Sequence, residues 1–344
     1  MNLKRRLLTT GLAGLVAFVA LRFDQNQKEI ALAADASFDL QGHRGTRGLR
    51  PENTLAAFAQ ALTLGVSTLE LDTALTKDGI LVVTHDSELN PDITRDAKGE
   101  WLTATGPSMF SMTYAEILRY DVGRVKPGTP YALRFKDQVA VDGQRIPKLS
   151  DVFALVKKSG NTTVRFNIET KLDPRTPNAT PKSQAFAEAV IKEIRKAGME
   201  KRSTIQSFDW STLNVVKKMA PEIPTVCLTT QQGSDDNIGV GKPGPSAWLG
   251  GLDVDDFSGS VPKVVKAAGG AVWSPNFTDV NEALVKEAHG LGLLVIPWTA
   301  NNPADMARLI DMGVDGLISD RPDVLRTVLA DKGRTLPKPT PVQP

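Results

Sequence analysis

QGHRGTRGLRPENT, residues 41–54, joins two kinds of secondary structure in a way that limits the architectures open to the whole chain. Before it, Ala36 to Leu40 mixes small and apolar types and is expected to form a short strand. After it, Asn53 or Thr54 can cap a helix whose apolar residues Leu55, Phe58 and Leu62 recur at helical spacing, with Gly65 placed to end it. His43 and Arg44 therefore fall where a strand stops and the chain turns toward a helix. In parallel α/β folds that is the end at which ligands bind. An imidazole able to take or give a proton near neutral pH then stands beside a guanidinium suited to phosphate or carboxylate. Gly42, Gly45 and Gly48 allow close backbone approach or positive φ. Taken alone, these residues also fit a capped turn with a solvated His and Arg.

Working outward, further strands are expected at Ser67–Thr73, Ile80–Val83, Thr163–Thr170, Thr204–Ser207, Thr225–Leu228, Ala271–Trp273, Leu293–Pro297 and Gly316–Ser319. Helices are expected at Ser150–Lys158 (capped by Ser150), Ser183–Ala197, Ser211–Met219, Val280–His289 and Pro303–Met312. This alternation argues for a parallel α/β fold. Polar chemistry spread over many strand ends favours an irregular (β/α)8 TIM barrel over a doubly wound sheet. Nine strand candidates for eight positions mean that one is not a stave. Between the second and third strands there is no room for a helix. Residues 87–147, after the third strand, carry little periodic signal beyond a short helix at Thr113–Arg119 with a Thr113/Glu116 capping box. They are expected to be an insertion over the active end, because so long a loop is usually functional.

A chain of 344 residues has ample length for a barrel of ~250 residues. The barrel is expected over 37–330, with a Pro-rich, disordered tail at 331–344. A net charge of +2 argues against nucleic acid or an anionic membrane as partner. The lone Cys227 excludes an internal disulfide and a Cys-rich zinc site. Lys4, Arg5 and Arg6, the apolar run Leu7–Phe18 and Ala31-Leu32-Ala33 read as a signal peptide over 1–33, with an uncleaved anchor as the alternative. Either way the folded part is expected outside the cytoplasm, in the periplasm or beyond.

Glu70 and Asp72 are two apart on a strand and leave the same face, with Leu69 and Leu71 on the other. Glu169 ends a second strand with Phe166 and Ile168 on its opposite face. Three carboxylates converging inside a barrel make a hard-oxygen site for Ca2+ or Mg2+. The ordinary alternative is a strand with its charged face in water. Of the three histidines, His43 and His85 both end strands at the same mouth, as a general base and a general acid would. His289 falls in the last turn of a helix and is expected to be structural. Zinc is the weaker choice of metal, since no H-E-x-x-H is present. Arg44 and Lys171 can neutralise a phosphate, and Trp298 offers an apolar wall.

Together these residues resemble the glycerophosphodiester phosphodiesterase family. The matching segments are HRG at 43–45, PENT at 51–54, ELD at 70–72, TKDG at 76–79, HD at 85–86 and IETK at 168–171. QSF at 206–208, WTANN at 298–302 and GLISDRP at 316–322 continue the match in family order. Ala300 and Ser319 depart mildly from it. The resemblance implies hydrolysis of glycerophosphodiesters to glycerol 3-phosphate and an alcohol, with His43 as general base and His85 as general acid. It implies a divalent ion, often Ca2+, held by Glu70, Asp72 and Glu169, with Arg44, Glu52 and Lys171 arranging the phosphate and metal surroundings. Two other readings stay open: a phospholipase of the sphingomyelinase D or inositol-lipid type, and a non-catalytic extracytoplasmic phosphodiester-binding protein.

Overall fold

A computed structural model describes residues 38–176 and 180–344; the expected signal segment, 1–33, lies outside them. The first strands are β1 (Asp39–Gly42), β2 (Thr68–Leu75) and β3 (Leu81–Val83). β3 turns back antiparallel on the end of β2, so it is the candidate that is not a stave. The remaining strands are β4 (Arg165–Thr170), β5 (Ser203–Ser207), β6 (Thr225–Thr229), β7 (Val272–Pro275), β8 (Leu294–Val295) and β9 (Gly316–Ser319). Without β3 they form a nearly closed barrel of eight parallel strands, with β9 beside β1. Bonds from Asp315 N to Val295 O (2.9 Å) and from Ile318 N to Pro297 O (3.0 Å) bring its two ends together.

Strand alternation divides the barrel wall. Leu69, Leu71, Phe166, Ile168 and Ile205 join the outer core with helical residues such as Phe58, Phe153, Phe186 and Val190. Phe153 meets Phe166 edge to face at 4.8 Å. Each such side chain stabilises the fold by about 1.5–3 kcal/mol relative to exposure. Their neighbours Glu70, Asp72, Asn167, Glu169 and Gln206 are buried polar residues, while Val226, Val272, Ile296 and Ile318 form a separate apolar cluster. Asn167 Nδ2 donates to Gln41 Oε1 (3.0 Å) and Gln206 Oε1 (2.9 Å), and Gln206 Nε2 donates to Glu70 Oε1 (2.6 Å). This network fixes the first carboxylate from below.

The helices are α1 (Leu55–Leu64), α2 (Tyr114–Ile117), α3 (Pro130–Arg134), α4 (Leu149–Lys158), α5 (Ser183–Ala197) and α6 (Trp210–Met219). They continue with α7 (Val261–Ala267), α8 (Glu282–Gly290), α9 (Pro303–Asp311) and α10 (Pro322–Asp331). Three were not expected from the sequence: α3, α7 and α10. Each opens with a proline in its first turn, a start signal that their short or irregular periodicity obscured. Helix α4 is capped two residues earlier than expected, by Lys148, whose N–H donates to Asp151 Oδ2 (3.0 Å), so Ser150 is not the cap. The insertion is folded: Leu89, Met109, Met112, Ile117, Val122 and Ile146 form a small core with Ala74 and Val82. The Pro-rich tail has no helix or strand but lies against the barrel. There Thr340 N donates to Leu62 O (2.8 Å), and Leu336 and Val342 pack on the core. None of the described helices is long and apolar enough to cross a membrane.

Candidate active site

β1 ends at Gly42, which is in register with Ser319 of β9. The residues that follow, His43 and Asp320, therefore meet, with His43 Nδ1 2.6 Å from Asp320 Oδ1. Asp320 also accepts from Arg47 Nε (2.8 Å) and Nη2 (3.1 Å) and from Asn301 Nδ2 (2.7 Å). Burial opposes its charge, but Arg47 and His43 override that and hold the carboxyl well below its usual range. An ionised carboxylate only accepts, so Nδ1 carries the proton and Nε2, 3.9 Å from Glu70 Oε2, keeps its lone pair. Burial first, then Arg47, lowers His43 to about 4, so it is neutral at pH 7.

The chain reverses tightly behind His43. A Cβ on Gly42 would sit 2.2 Å from Gly45 O, and Gly45 itself has φ +81°. Arg44 is left-handed too, at φ 49°, a conformation that costs a non-glycine residue energy. Three contacts hold it there: its N–H donates to Glu70 Oε2 (2.8 Å), Nη1 donates to Glu52 Oε1 (2.6 Å), and Nε lies 3.3 Å from Asp72 Oδ2. Thr54 caps α1, accepting from Ala57 N at 3.2 Å. Asn53 does something else: at φ 54° its Nδ2 donates to Asp72 Oδ2 (2.9 Å).

Cross-strand register gathers the carboxylates. Asp72 on β2 lies opposite Glu169 on β4, which in turn lies opposite Gln206 on β5. Oxygens of Glu70, Asp72 and Glu169 come within 4.8 Å of one another, all buried. Burial, then Asp72, raises Glu70 well above its ordinary value. Burial also leads in pushing Glu169 up to about 7, with Lys171 opposing and Asp72 adding. Asp72 stays ionised: burial works against it, but Arg44, His85, Lys171 and His43 together pull it down. Lys171 Nζ bonds Glu169 Oε1 (2.7 Å) and lies 3.7 Å from Asp72 Oδ1. Arg44 is shared with Glu52, so the raised Glu70 and Glu169 report a cluster short of positive charge, and Asp72 Oδ1 is buried without a hydrogen-bond partner. An all-oxygen set with surplus charge fits a hard divalent cation.

His85 follows β3 and repeats the first dyad. Its Nδ1 is 2.7 Å from Asp86 Oδ1, and Asn90 Nδ2 steadies the other oxygen of Asp86 at 2.7 Å. The side chain keeps 31% of its surface exposed, so it lines open space. Burial, then Arg44 and Lys171, lowers it to about 3. Trp298 is half-buried, donates Nε1 to Ser274 O (3.0 Å), and meets Phe208 edge-on at 5.5 Å. Phe208 also lies 5.8 Å beneath Lys171 Nζ, which makes an aromatic wall beside the charged cluster.

The sequence profile of the Glycerophosphoryl diester phosphodiesterase family matches residues 43–324. The chain belongs to that family. It is 32% identical to a "Glycerophosphodiester phosphodiesterase" from Caldanaerobacter subterraneus subsp. tengcongensis, over 85% of this chain and 97% of the relative. A crystal structure from Silicibacter pomeroyi DSS-3 with the same family designation superposes with TM-score 0.76 and 38% identity, covering 86% of this chain and 94% of that one. An Oleispira antarctica phosphodiesterase solved with sn-glycerol-3-phosphate shares the fold, with TM-score 0.60 and 20% identity over 84% and 96% of the two chains.

Within this family member, the residues singled out from sequence lie together at the C-terminal mouth. Glu52 stands behind Arg44, accepting from its Nη1. His289 is elsewhere, its Nε2 2.9 Å from Asp315 Oδ2. A cavity of about 780 Å³ lies at the opposite mouth, lined by Asp39, Arg165, Val226, Val272 and Ile296, away from these residues. Sequence reasoning missed Asp320, Arg47, Asn301, Asn53 and Gln206. Asp320, Asn301, Asn53 and Gln206 lie inside the matched motifs GLISDRP, WTANN, PENT and QSF, which marked the segments but not the partners these residues meet. Arg47 carried no such signal.

Proposed function

We propose that this protein hydrolyses glycerophosphodiesters to glycerol 3-phosphate and an alcohol. The observation that carries the proposal is the buried Glu70–Asp72–Glu169 cluster, with His43 Nε2 3.9 Å from Glu70 Oε2 and His85 brought beside it where Thr84 N donates to Asp72 O (3.0 Å). Those three carboxylates would hold a divalent cation, Ca2+ in the first instance or Mg2+. When bound, it supplies Lewis-acid stabilisation of charge on the phosphoryl oxygens. Arg44, braced by Glu52, and Lys171 bind and orient those oxygens. His43 Nε2 takes a proton from water, or from the neighbouring glycerol hydroxyl to give a cyclic diester that water then opens. His85 protonates the departing alkoxide.

The division of labour follows from the carboxylates behind each ring. Asp320 shares its charge with Arg47, which favours a neutral imidazole. Among the described residues, Asp86 pairs with no Lys or Arg, so its charge is free to stabilise an imidazolium. An arriving phosphodiester anion also offsets Arg44 and Lys171, the two cations that depress His85. Export by removal of residues 1–33 belongs to the same reading, and N-terminal sequencing of the secreted protein tests it.

The deciding experiment incubates residues 34–344 with glycerophosphocholine. Release of glycerol 3-phosphate, abolished by chelator and restored by Ca2+ or Mg2+, is expected. Absence of product at any metal concentration would refute the proposal. A second reading, action on a lipid, is favoured by Leu133 and Val139 of the insertion, which are 77% and 57% exposed. Faster turnover of lysophosphatidylcholine than of glycerophosphocholine would establish it.

A further inference from the structure

The insertion does more than cover the mouth. Helix α3 is one of the elements the sequence hid, opened by Thr129 (its hydroxyl accepts from Ala132 N at 3.2 Å) and Pro130. Tyr131 and Phe135 are four residues apart and share one face. Their rings meet at 4.9 Å, and that face lies against the loop after β1.

Each ring contacts a residue that holds a catalytic group. The Tyr131 hydroxyl donates to Glu52 Oε2, while Glu52 Oε1 accepts from Arg44 Nη1 at 2.6 Å. The buried Phe135 ring lies 4.7 Å from the Arg47 guanidinium, which donates twice to Asp320, and Asp320 bonds His43 Nδ1. The chain beyond α3 ties down the same loop: Gln138 Nε2 donates to Arg47 O (2.7 Å) and Val139 N to Leu49 O (2.9 Å). Arg321, next to Asp320, donates to Asp137 Oδ2 (2.8 Å). Glu52 and Arg47 are both buried, so neither has water to replace a lost partner.

We propose that Tyr131 and Phe135 of the insertion are positioning residues: Tyr131 sets the phosphate-binding Arg44 through Glu52, and Phe135 sets the base His43 through Arg47 and Asp320. The inference rests on the hydrolase reading above. It implies that the insertion and the barrel form one site, with turnover depending on contacts more than 70 residues apart in sequence.

The two chains of contact predict different kinetic signatures. Tyr131→Phe removes one oxygen and is expected to raise KM about fivefold or more with a smaller change in kcat. Phe135→Leu keeps an apolar side chain but loses the ring face, and is expected to lower kcat about tenfold with KM little changed. Phe135→Tyr restores the ring and should restore kcat. Because Tyr131 acts through Glu52, adding Tyr131→Phe to Glu52→Gln should produce no further rise in KM. A role confined to folding would lower activity without this split and would not separate Leu from Tyr at 135; thermal melts report folding independently. Variants matching wild type, or additive effects in the Tyr131/Glu52 cycle, overturn the inference and leave the hydrolase reading intact. A folded wild type that neither turns over glycerophosphocholine nor binds glycerol 3-phosphate by calorimetry sinks both.

Discussion

Asp320→Asn isolates the part of the site that the sequence did not announce. Asparagine keeps an oxygen for the His43 Nδ1 proton but offers the imidazolium no negative charge. The 2.6 Å contact changes from a charge-assisted bond, worth about 1.5–3 kcal/mol, to a neutral one worth about 0.5–1.5 kcal/mol. That loss of about 1–1.5 kcal/mol corresponds to a fall in kcat of about tenfold, with the ~10²–10⁴-fold of the whole general-base contribution as the ceiling. Arg47 loses its buried counter-ion as well, and breaking such a pair costs about 3–5 kcal/mol. Against a typical total stability of about 5–15 kcal/mol, the variant should still fold at 25 °C but melt earlier. The two effects separate experimentally, because instability reduces the folded fraction and leaves kcat per folded molecule unchanged. Glycerol 3-phosphate release, normalised to the folded fraction from urea titration, measures the catalytic part. A normalised kcat within about threefold of wild type would refute the assignment of Asp320 to the base.

Other outcomes follow from the same geometry. His85→Ala should lower kcat on glycerophosphocholine by ~10²-fold or more, yet act far less on a diester with a p-nitrophenol leaving group, which needs no proton. Equal losses on both substrates would remove His85 from the acid role. In the metal-free protein His43 is held neutral, with its folded value lowered from 6.5 to about 4. The unfolded chain then binds a proton between those values that the folded chain does not, so the contribution of His43 to stability falls as pH drops from about 6.5 toward 4, opposite in sign to that of Glu169, raised to about 7. Removing it in His43→Asn should lessen the loss of the urea midpoint on acidification relative to wild type, and an unchanged slope would contradict the burial argument. Asn53→Ala leaves the Thr54 cap intact but puts Ala at φ 54° and removes a partner of buried Asp72, so it should lower the melting temperature modestly and weaken Ca2+ binding by about 10-fold, as loss of an outer-shell partner does.

Much of the barrel was legible because alternation and helical spacing are local. Leu69-Glu70-Leu71-Asp72 announced its two faces within four residues, and Gly65 marked the end of α1. Helix α3 was illegible by spacing, since five residues complete little more than one turn, although Thr129 and Pro130 held the start signal. The tail misled because proline-rich composition says nothing of the bond from Thr340 to Leu62 O or of the bond that Pro337 O accepts from Arg326 of α10. At the site, His43, His85 and the carboxylates could be named because chemistry limits which residue types serve. Asp320 could not, because an Asp after a short strand reads as a helix cap. Only barrel closure sets β9 beside β1 and brings it to His43 from 277 residues away. Asn53 was hidden for the opposite reason, since its position beside Thr54 made it a plausible cap.

The most direct test is anomalous diffraction from crystals grown with Mn2+ and glycerol 3-phosphate. One cation peak bridged by Glu70, Asp72 and Glu169, with the phosphate between His43 Nε2 and His85 Nε2, is the predicted result. A cation bound elsewhere, or a phosphate that touches neither imidazole, would contradict the account.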